Sequence, residues 1–232
     1  VERVTMGPEK KSRKVSKKEK ESTAYHEAGH ALLSLYLDEV DTFTKVSIIP
    51  RGMAGGYTLT PPTEDKYYFN KKDLKGMMVV MLGGLVAEQI KYGDTTTGVS
   101  NDLQRVAQIA RSMVCKYGMS EELGTLAYEE PRGGAFLGRD LMSHKEYSGH
   151  TAKLIDEEIR KLVDEAYQRA RKLLTEHRDH LDRLAIALVE KEVMDVDETR
   201  ELLGLPPEPS REEEADDSTD QGATDNGDSA TA

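Results

Sequence analysis

Hydrophobic residues recur every three or four positions over several long stretches of the chain, which is the spacing of one face of an α-helix. In the first stretch Tyr25, Ala28 and Leu32 share a face, and Ser16 with Glu19 has the spacing of a capping box just before it. The same periodicity continues downstream. It predicts helices over residues 17–37, 71–91, 101–116, 149–175, 178–190 and 197–203.

Polar capping residues and glycines indicate where these helices begin and where they meet a neighbour. Asn70, Ser100 and Ser148 each stand immediately before a predicted helix, where a side-chain oxygen can accept the first backbone N–H groups. Gly83 and Gly84 stand together inside an apolar part of the second predicted helix. A glycine pair at such a place predicts that another backbone approaches this helix closely.

Two short stretches between the first and second predicted helices have the character of strands. Residues 44–49 end at Pro50, which cannot donate a ladder hydrogen bond, and residues 57–60 follow a glycine-rich turn. The predicted fold class is therefore mainly α, with a small β-sheet or hairpin beside the first helix.

The composition excludes several classes of protein. The chain has 232 residues, with 43 acidic and 32 basic side chains and a formal net charge of −11. That balance argues against nucleic acid as a partner, since such a surface requires a basic stripe. A single cysteine, Cys115, excludes a disulfide framework, and its apolar helical surroundings predict a buried, unreactive thiol. No stretch reaches the roughly 18 to 20 apolar residues of a membrane span.

The two ends of the chain differ from the part between them. Residues 206–232 contain nine acidic residues and one basic residue, and no aromatic or large aliphatic side chain. Such a segment cannot bury enough apolar area to offset its ordering entropy, so a disordered acidic tail is predicted. Residues 16–205 hold all the predicted elements and form the predicted domain, and residues 1–15 form a linker before it.

The candidate chemistry lies on the first predicted helix, where the letters H-E-A-G-H occupy positions 26–30. His26 and His30 are four residues apart, so both imidazoles can reach one metal ion, at about 2.0 to 2.1 Å if it is zinc. Glu27 is rotated by roughly 100° from His26 and can flank the metal as a general base for water. This is the H-E-x-x-H pattern of zinc peptidases. The pattern predicts a helical zinc-peptidase domain with the small sheet beside this helix.

The third metal ligand is not decided by spacing alone. Leu33 and Tyr36 stand where the extended H-E-x-x-H-x-x-G-x-x-H pattern requires glycine and histidine, so that class is excluded. Two carboxylates remain as candidates. Glu88 lies in the second predicted helix, and Asp102 lies in the first turn of the third.

Several stretches occur in the order found in the peptidase domain of the FtsH family, whose members are membrane-bound, ATP-dependent zinc metalloproteases. They are AYHEAGHALL, VSIIPRGMAGGYT, GGLVAEQI, TTGVSNDLQRVAQIARSMVCKYGMSEELG and IDEEIRKLVDEAY. The chain resembles this domain over residues 1–205. The resemblance implies one zinc ion per chain, with Asp102 as its third ligand. It makes Glu88 a partner that steadies a zinc-bound histidine through the other ring nitrogen.

The resemblance also implies partners and a location. Residues 1–15 resemble the end of an ATPase module that is otherwise missing, so ATP would act only through that module, and no G-x-x-x-x-G-K-[ST] loop occurs in this sequence. The family implies unfolded polypeptides or membrane proteins as substrates, a homo-hexamer, and membrane attachment through segments that precede this chain. The implied location is the cytoplasmic face of the bacterial cell membrane.

One departure from the family is the sequence MAGG at residues 53–56, where many members carry a bulkier residue. This departure bears on substrate preference and touches no predicted ligand. The strand over residues 55–59 is interpreted either as a substrate-binding edge or as an ordinary hairpin. The remaining histidines are predicted not to be ligands, with His177 and His180 on a solvated helix surface. The others are His144 and His150.

Two competing hypotheses remain beside the proteolytic half of an ATP-fuelled protease. One is a stand-alone zinc peptidase that acts on small peptides without ATP, against which the ATPase-like beginning argues. The other is a non-enzymatic module in which zinc only stabilises the fold. Glu27 argues against this last hypothesis, because a structural zinc site has no use for a base beside its ligands.

Overall fold

A computed structural model describes residues 16–51, 54–62, 66–128 and 147–207. The predicted linker over 1–15, the tail from residue 208 onward, and Met53 and His144 lie outside the described residues. Within the described part the chain is mainly α with a small antiparallel sheet, as the periodicity predicts. No helix among those residues combines the length and the apolar character needed to cross a membrane.

Predicted and observed boundaries of the predicted elements agree to within two residues, except that the second predicted helix is divided. In chain order the elements are α1 (Lys17–Tyr36), β1 (Lys45–Ser47), β2 (Tyr57–Leu59), α2 (Lys71–Met81), α3 (Gly83–Tyr92), a 3-10 turn (Thr97–Val99), α4 (Ser100–Cys115), α5 (Gly149–Glu176), α6 (Arg178–Lys191), β3 (Val193–Asp195) and α7 (Val196–Leu203).

Side-chain caps mark the beginnings of α1, α2 and α5 at the predicted residues. Ser16 Oγ accepts the Glu19 N–H at 3.1 Å, and the Glu19 carboxylate accepts the Ser16 N–H at 3.0 Å, which completes the capping box. Asn70 caps α2 through the N–H groups of its first turn, and Ser148 caps α5 through the Thr151 N–H. These caps satisfy backbone donors that have no partner inside the helix.

The prediction that Ser100 caps the third helix is wrong. Ser100 is itself the first residue of α4, with helical φ and ψ of −61° and −38°. The reason is the 3-10 turn, which leads directly into α4 and delivers a backbone that is already helical. The cap belongs to that turn instead, because Thr96 Oγ1 accepts the Gly98 N–H at 3.2 Å.

The prediction of one continuous helix over residues 71–91 is also wrong, because the chain breaks at Leu82 into α2 and α3. The Leu82 N–H is shared between the carbonyls of Met78 and Val79, at 3.1 and 3.2 Å. The following Gly83 lies against α1, where a Cβ atom would stand 2.6 Å from the Gly29 carbonyl oxygen. The glycine pair therefore lets the chain turn and start a second helix in direct backbone contact with α1.

The sheet is antiparallel, in the order β2-β1-β3, so β2 forms one of its edges. In the register, Val46 of β1 pairs with Thr58 of β2 on one side and with Met194 of β3 on the other. The sequence does not predict β3, because its three residues lie between two helices and show no alternation long enough to detect. Only pairing with the distant β1 makes this segment a strand.

The core forms around α1, which packs between α3 and α6 and also contacts the sheet. Its predicted face is buried, with Tyr25 only 2% exposed and Ala28 and Leu32 fully buried. The long helix α5 contributes buried Ile155 and Leu162 from its predicted apolar stripe. Cys115 on α4 is buried, as predicted. Because α1 is enclosed on most sides, the side chains it carries are held by several elements at once.

Candidate metal centre

Helix α1 presents two histidines on one face, one helical turn apart. His26 Nε2 and His30 Nε2 lie 3.1 Å from each other. Their side chains are only 13% and 12% exposed, so neighbouring elements hold both rings in place. The four-residue spacing brings the two nitrogens to the same point, as the sequence pattern requires.

Asp102 joins these histidines from the first turn of α4. Its Oδ2 lies 3.3 Å from His26 Nε2 and 3.6 Å from His30 Nε2. Ligand atoms at about 2.0 to 2.1 Å from a tetrahedral zinc ion stand about 3.3 Å from one another, so these three atoms fit that ion. In the part of the chain that the structure describes, they are the only such group of three or more metal-ligating side chains.

The other ring nitrogen of each histidine makes a hydrogen bond that sets the orientation of its ring. His30 Nδ1 donates to the Val80 carbonyl at 2.7 Å, and His26 Nδ1 lies 2.9 Å from Glu88 Oε1. A carbonyl or a carboxylate oxygen accepts, so each Nδ1 carries a proton. In the neutral ring the lone pair is then on Nε2, which faces the Asp102 carboxylate.

Glu88 is fixed at the back of the His26 ring. It is 2% exposed, its Oε2 accepts the Thr96 N–H at 2.5 Å, and its Oε1 lies 3.2 Å from Thr96 Oγ1. Glu88 touches His26 through Nδ1, whereas Asp102 touches it through Nε2. The structure therefore places the two candidate carboxylates on opposite nitrogens of one imidazole.

The glycine pair of α3 is what allows Glu88 to reach the histidine. A Cβ atom at Gly84 would lie 2.4 to 2.6 Å from three atoms of the His26 ring, and a Cβ atom at Gly29 would lie 2.3 Å from the Gly83 carbonyl oxygen. Any side chain at these positions would push α3 away from α1. The close backbone approach predicted from Gly83 and Gly84 is confirmed, and it brings Glu88 within hydrogen-bonding distance.

The charges of the cluster stabilise one another. Burial alone would lower the pKa of His26, but hydrogen bonds to Asp102 and Glu88 outweigh it and raise that pKa to about 10. Burial likewise opposes ionisation of Asp102, yet its hydrogen bonds to His26 and His30 hold the pKa of the carboxyl well below its usual range. A divalent cation binds neutral imidazole and ionised carboxylate, so its binding between these groups would displace the proton from His26 Nε2.

Glu27 lies beside this cluster and is almost fully buried, with 6% of its surface exposed. Burial raises the pKa of its carboxyl, and the nearby His30 and His26 reduce that effect. Its Oε2 accepts a hydrogen bond from Thr58 Oγ1 of β2 at 2.9 Å. The sheet predicted beside the first helix thus contacts the residue predicted to be the base.

Two other histidines differ from their prediction. His177 and His180 are half-buried and not on a solvated surface, because Tyr36 of α1 covers them. The Tyr36 ring stacks on His177 with centroids 4.1 Å apart, and its hydroxyl is hydrogen-bonded to His180 Nδ1. The sequence placed these histidines near a helix boundary without a carboxylate-bearing motif around them, and only the packing of α1 against α6 reveals the burial. His150 is exposed on α5.

Three contacts of the site were not foreseen from the sequence. They are the Val80 carbonyl behind His30, the Thr96 donors behind Glu88, and the Thr58 hydroxyl on Glu27. A backbone carbonyl carries no residue-type signal at all. Thr58 lies in a predicted strand, but no local pattern connects it to a residue 31 positions earlier.

Comparisons with known proteins agree on one family. The sequence model of peptidase family M41 matches residues 13–202. The chain is 50% identical over 208 residues to ATP-dependent zinc metalloprotease FtsH 3 of Synechocystis sp., which covers 88% of this chain and 34% of that protein. It is 47% identical over 204 residues to ATP-dependent zinc metalloprotease FtsH of Bacillus subtilis, and this alignment covers 88% of this chain and 32% of that protein. It therefore spans about a third of the length of these curated relatives.

Proposed function

Because the chain belongs to peptidase family M41 and is a zinc metalloprotease, we propose that it is the proteolytic domain of a membrane-anchored, ATP-dependent protease. Its substrates in this proposal are unfolded or membrane proteins. The observation that supports it most directly is the convergence of His26, His30 and Asp102 beside the buried carboxylate of Glu27.

The proposal assigns one zinc ion to each chain, held by His26 Nε2, His30 Nε2 and Asp102 Oδ2. Glu88 holds the His26 ring through Nδ1, and the Val80 carbonyl holds the His30 ring in the same way. Three protein ligands leave one tetrahedral position open, which is typical of catalytic zinc sites. When bound, the metal supplies Lewis acidity that polarises a peptide carbonyl and acidifies water.

Glu27 is the general base of the proposed reaction. Its carboxylate takes a proton from the water that attacks the peptide carbonyl, and it then delivers that proton to the leaving nitrogen. Burial raises the pKa of the carboxyl, which makes Glu27 a stronger base than an exposed glutamate. To deliver the proton to the leaving nitrogen, Glu27 must first hold it, and a raised pKa favours the protonated carboxyl.

The edge strand β2 is the proposed binding element for substrate. Among the described strands it pairs with β1 alone, and its Thr58 contacts Glu27 directly. An extended peptide that added to this edge would lie along the active-site helix, next to the base. Strand addition recognises backbone rather than particular side chains, which suits a protease that degrades many unfolded chains.

Dependence on ATP, the homo-hexamer and the cytoplasmic face of the bacterial cell membrane are further parts of the proposal. They rest on the resemblance to relatives whose names include ATP dependence and of whose length this chain spans about a third. In this arrangement a nucleotide-binding module supplies unfolded polypeptide, and the domain described above cleaves it.

The test is the substitution Glu27→Gln, which is nearly isosteric and cannot accept a proton. Zinc content should stay near one ion per chain, while hydrolysis of a short fluorogenic peptide should fall by at least about a hundredfold. Glu201→Gln, an exposed residue of α7, is the matched control and should leave both quantities unchanged. Near-normal turnover by the Glu27 variant would exclude this residue as the base.

A further inference from the structure

Among the described residues, one side chain from another element makes a hydrogen bond to the carboxylate of Glu27. Thr58 Oγ1 lies 2.9 Å from Glu27 Oε2 and 3.4 Å from the Glu27 backbone carbonyl oxygen. A carboxylate oxygen only accepts, so the threonine hydroxyl is the donor. The shorter distance identifies Oε2 as its principal acceptor.

The second carboxylate oxygen has different surroundings. No described side chain or backbone group makes a hydrogen bond to Glu27 Oε1. Gly56, two residues before Thr58, borders this oxygen, and a Cβ atom there would lie 2.9 Å from both Oε1 and Cγ of Glu27. The same short strand region therefore donates to one oxygen and packs a glycine without a side chain closely against the other.

We propose that Thr58 is a positioning residue for the catalytic base, in that its hydroxyl fixes Oε2 of Glu27 and so keeps Oε1 free for the water proton. This inference rests on the proposed role of Glu27. The last torsion of a glutamate side chain is broad and has little preference of its own, so an external donor is needed to define it. Small errors in the position of a reacting group reduce turnover strongly.

The place of Thr58 in the sheet separates this role from a purely structural one. Its backbone pairs with Val46 across the β1–β2 ladder, and this pairing does not involve the hydroxyl. Valine has almost the shape of threonine and favours strands equally well. Removing the hydroxyl alone should therefore leave β2, and the substrate edge that it offers, in place.

The experiment compares Thr58→Val with Thr58→Ser in the 232-residue chain loaded with zinc. For a short peptide we expect Thr58→Val to lower kcat about ten- to a hundredfold with KM within about twofold, because only the orientation of the base is lost. Thr58→Ser, which restores the donor, should lie within about threefold of the wild type. Zinc content should be equal in all three proteins. Thr58→Ala serves as a second variant without the hydroxyl if the valine variant folds poorly.

A second measurement does not depend on activity. It uses crystal structures of the three proteins without zinc. The wild type and Thr58→Ser should each show a single orientation of the Glu27 carboxylate, whereas Thr58→Val should show more than one. A wild type without peptidase activity would count against the proposed function, while these structures would still test the contact.

Several results would overturn the inference. One is an unchanged kcat in Thr58→Val beside an active wild type. Another is a loss that appears only in KM, which would place Thr58 in substrate binding. A third is a serine variant as impaired as the valine variant, or a carboxylate that keeps one orientation without the hydroxyl.

Discussion

At the scale of single residues, the candidate metal centre distinguishes two carboxylates that spacing in the sequence leaves open as ligand candidates. Asp102 Oδ2 lies within 3.6 Å of both histidine Nε2 atoms, whereas Glu88 reaches only His26 Nδ1. A ligand must share the side of the imidazole that faces the metal. A residue on the opposite nitrogen orients the ring and increases its basicity.

We therefore expect Asp102→Asn and Glu88→Gln to differ in their effect on zinc. The asparagine variant should lose most of its zinc on dialysis, because a neutral amide replaces the anionic ligand. Glu88→Gln should keep the metal with an affinity about ten- to a hundredfold lower. Elemental analysis measures the zinc that each variant retains, and competition with a chelator measures its zinc affinity.

Asp197→Asn is the control for these variants, since Asp197 also lies in the first turn of a helix but faces solvent. It should bind zinc as the wild type does. If Glu88→Gln loses all its zinc while Asp102→Asn retains it, the ligand assignment is wrong.

At the scale of elements, the contact between α1 and α3 sets the distance on which the whole site depends. Gly29 stands between the two histidines in sequence and faces the Gly83 backbone in space. Both partners at this point are backbone atoms of helices, which cannot move aside as the end of a flexible side chain can. The contact therefore tolerates no added carbon.

Gly29→Ala should lower the free energy of unfolding by about 3 kcal/mol or more, and it should weaken zinc binding, because α3 and Glu88 are displaced together. Gly149→Ala is the matched control, since a Cβ atom at this helical position meets nothing within 4 Å. It should leave stability unchanged or raise it by up to about 1 kcal/mol. Chemical denaturation of the metal-free proteins measures the free energy of unfolding of each variant. Equal effects of the two substitutions would contradict the packing argument.

A second contact between elements connects the segment after α1 to α5 through Glu39 and Arg169. The Glu39 side chain is only 4% exposed and lies across Gly76 of α2, where a Cβ atom would stand 2.4 Å from its Cγ. Burial opposes ionisation of Glu39, but its hydrogen bond to Arg169 more than compensates and lowers the pKa of the carboxyl.

A carboxyl whose pKa is lower in the folded state stabilises the fold above its unfolded pKa, and that contribution disappears as the pH falls through the folded value. Glu39→Gln should therefore lower the free energy of unfolding by about 1 kcal/mol at pH 7, and by less at pH 3, which lies below the ordinary glutamate pKa of 4.5. Urea unfolding of the wild type and the variant at pH 7 and at pH 3 measures this difference. Glu157→Gln, which removes an exposed pair with Lys153, should change stability by less than about 0.5 kcal/mol at either pH. A difference that grows as the pH falls would contradict the assigned direction.

At the scale of the whole molecule, the chain combines the proposed hydrolytic residues with the absence of any phosphate-binding loop motif in its sequence. A folded protein offers few extended segments to an edge strand, and opening it locally requires free energy. The proposed division of labour assigns that work to a separate nucleotide-binding module.

The 232-residue chain should accordingly hydrolyse short peptides or an unfolded protein, slowly and without any effect of ATP. A stable folded protein should stay intact, and a zinc chelator should stop all cleavage. In the experiment the chain is given one substrate protein, once in its folded form and once as an unfolded variant, each with and without ATP. Loss of the folded form that ATP stimulates would contradict this division of labour.

The sequence by itself determined the features that depend on neighbouring residues. The spacing of apolar positions predicted the mainly α fold, and the capping box at Ser16 placed the start of α1 at the observed residue. The H-E-x-x-H pattern placed two histidines on one helical face. All of these follow from the 3.6-residue period of a helix and from hydrogen bonds within its first turn, which are set within a few residues.

Only the tertiary structure decided the features that depend on distant parts of the chain. It placed Asp102 on the Nε2 side of the histidines and Glu88 on the other nitrogen, and it brought Thr58 to Glu27. The break at Leu82 and the strand β3 likewise exist because of contacts with α1 and β1. No local pattern encodes these contacts, since they arise only when the burial of apolar faces packs separate helices and strands against one another.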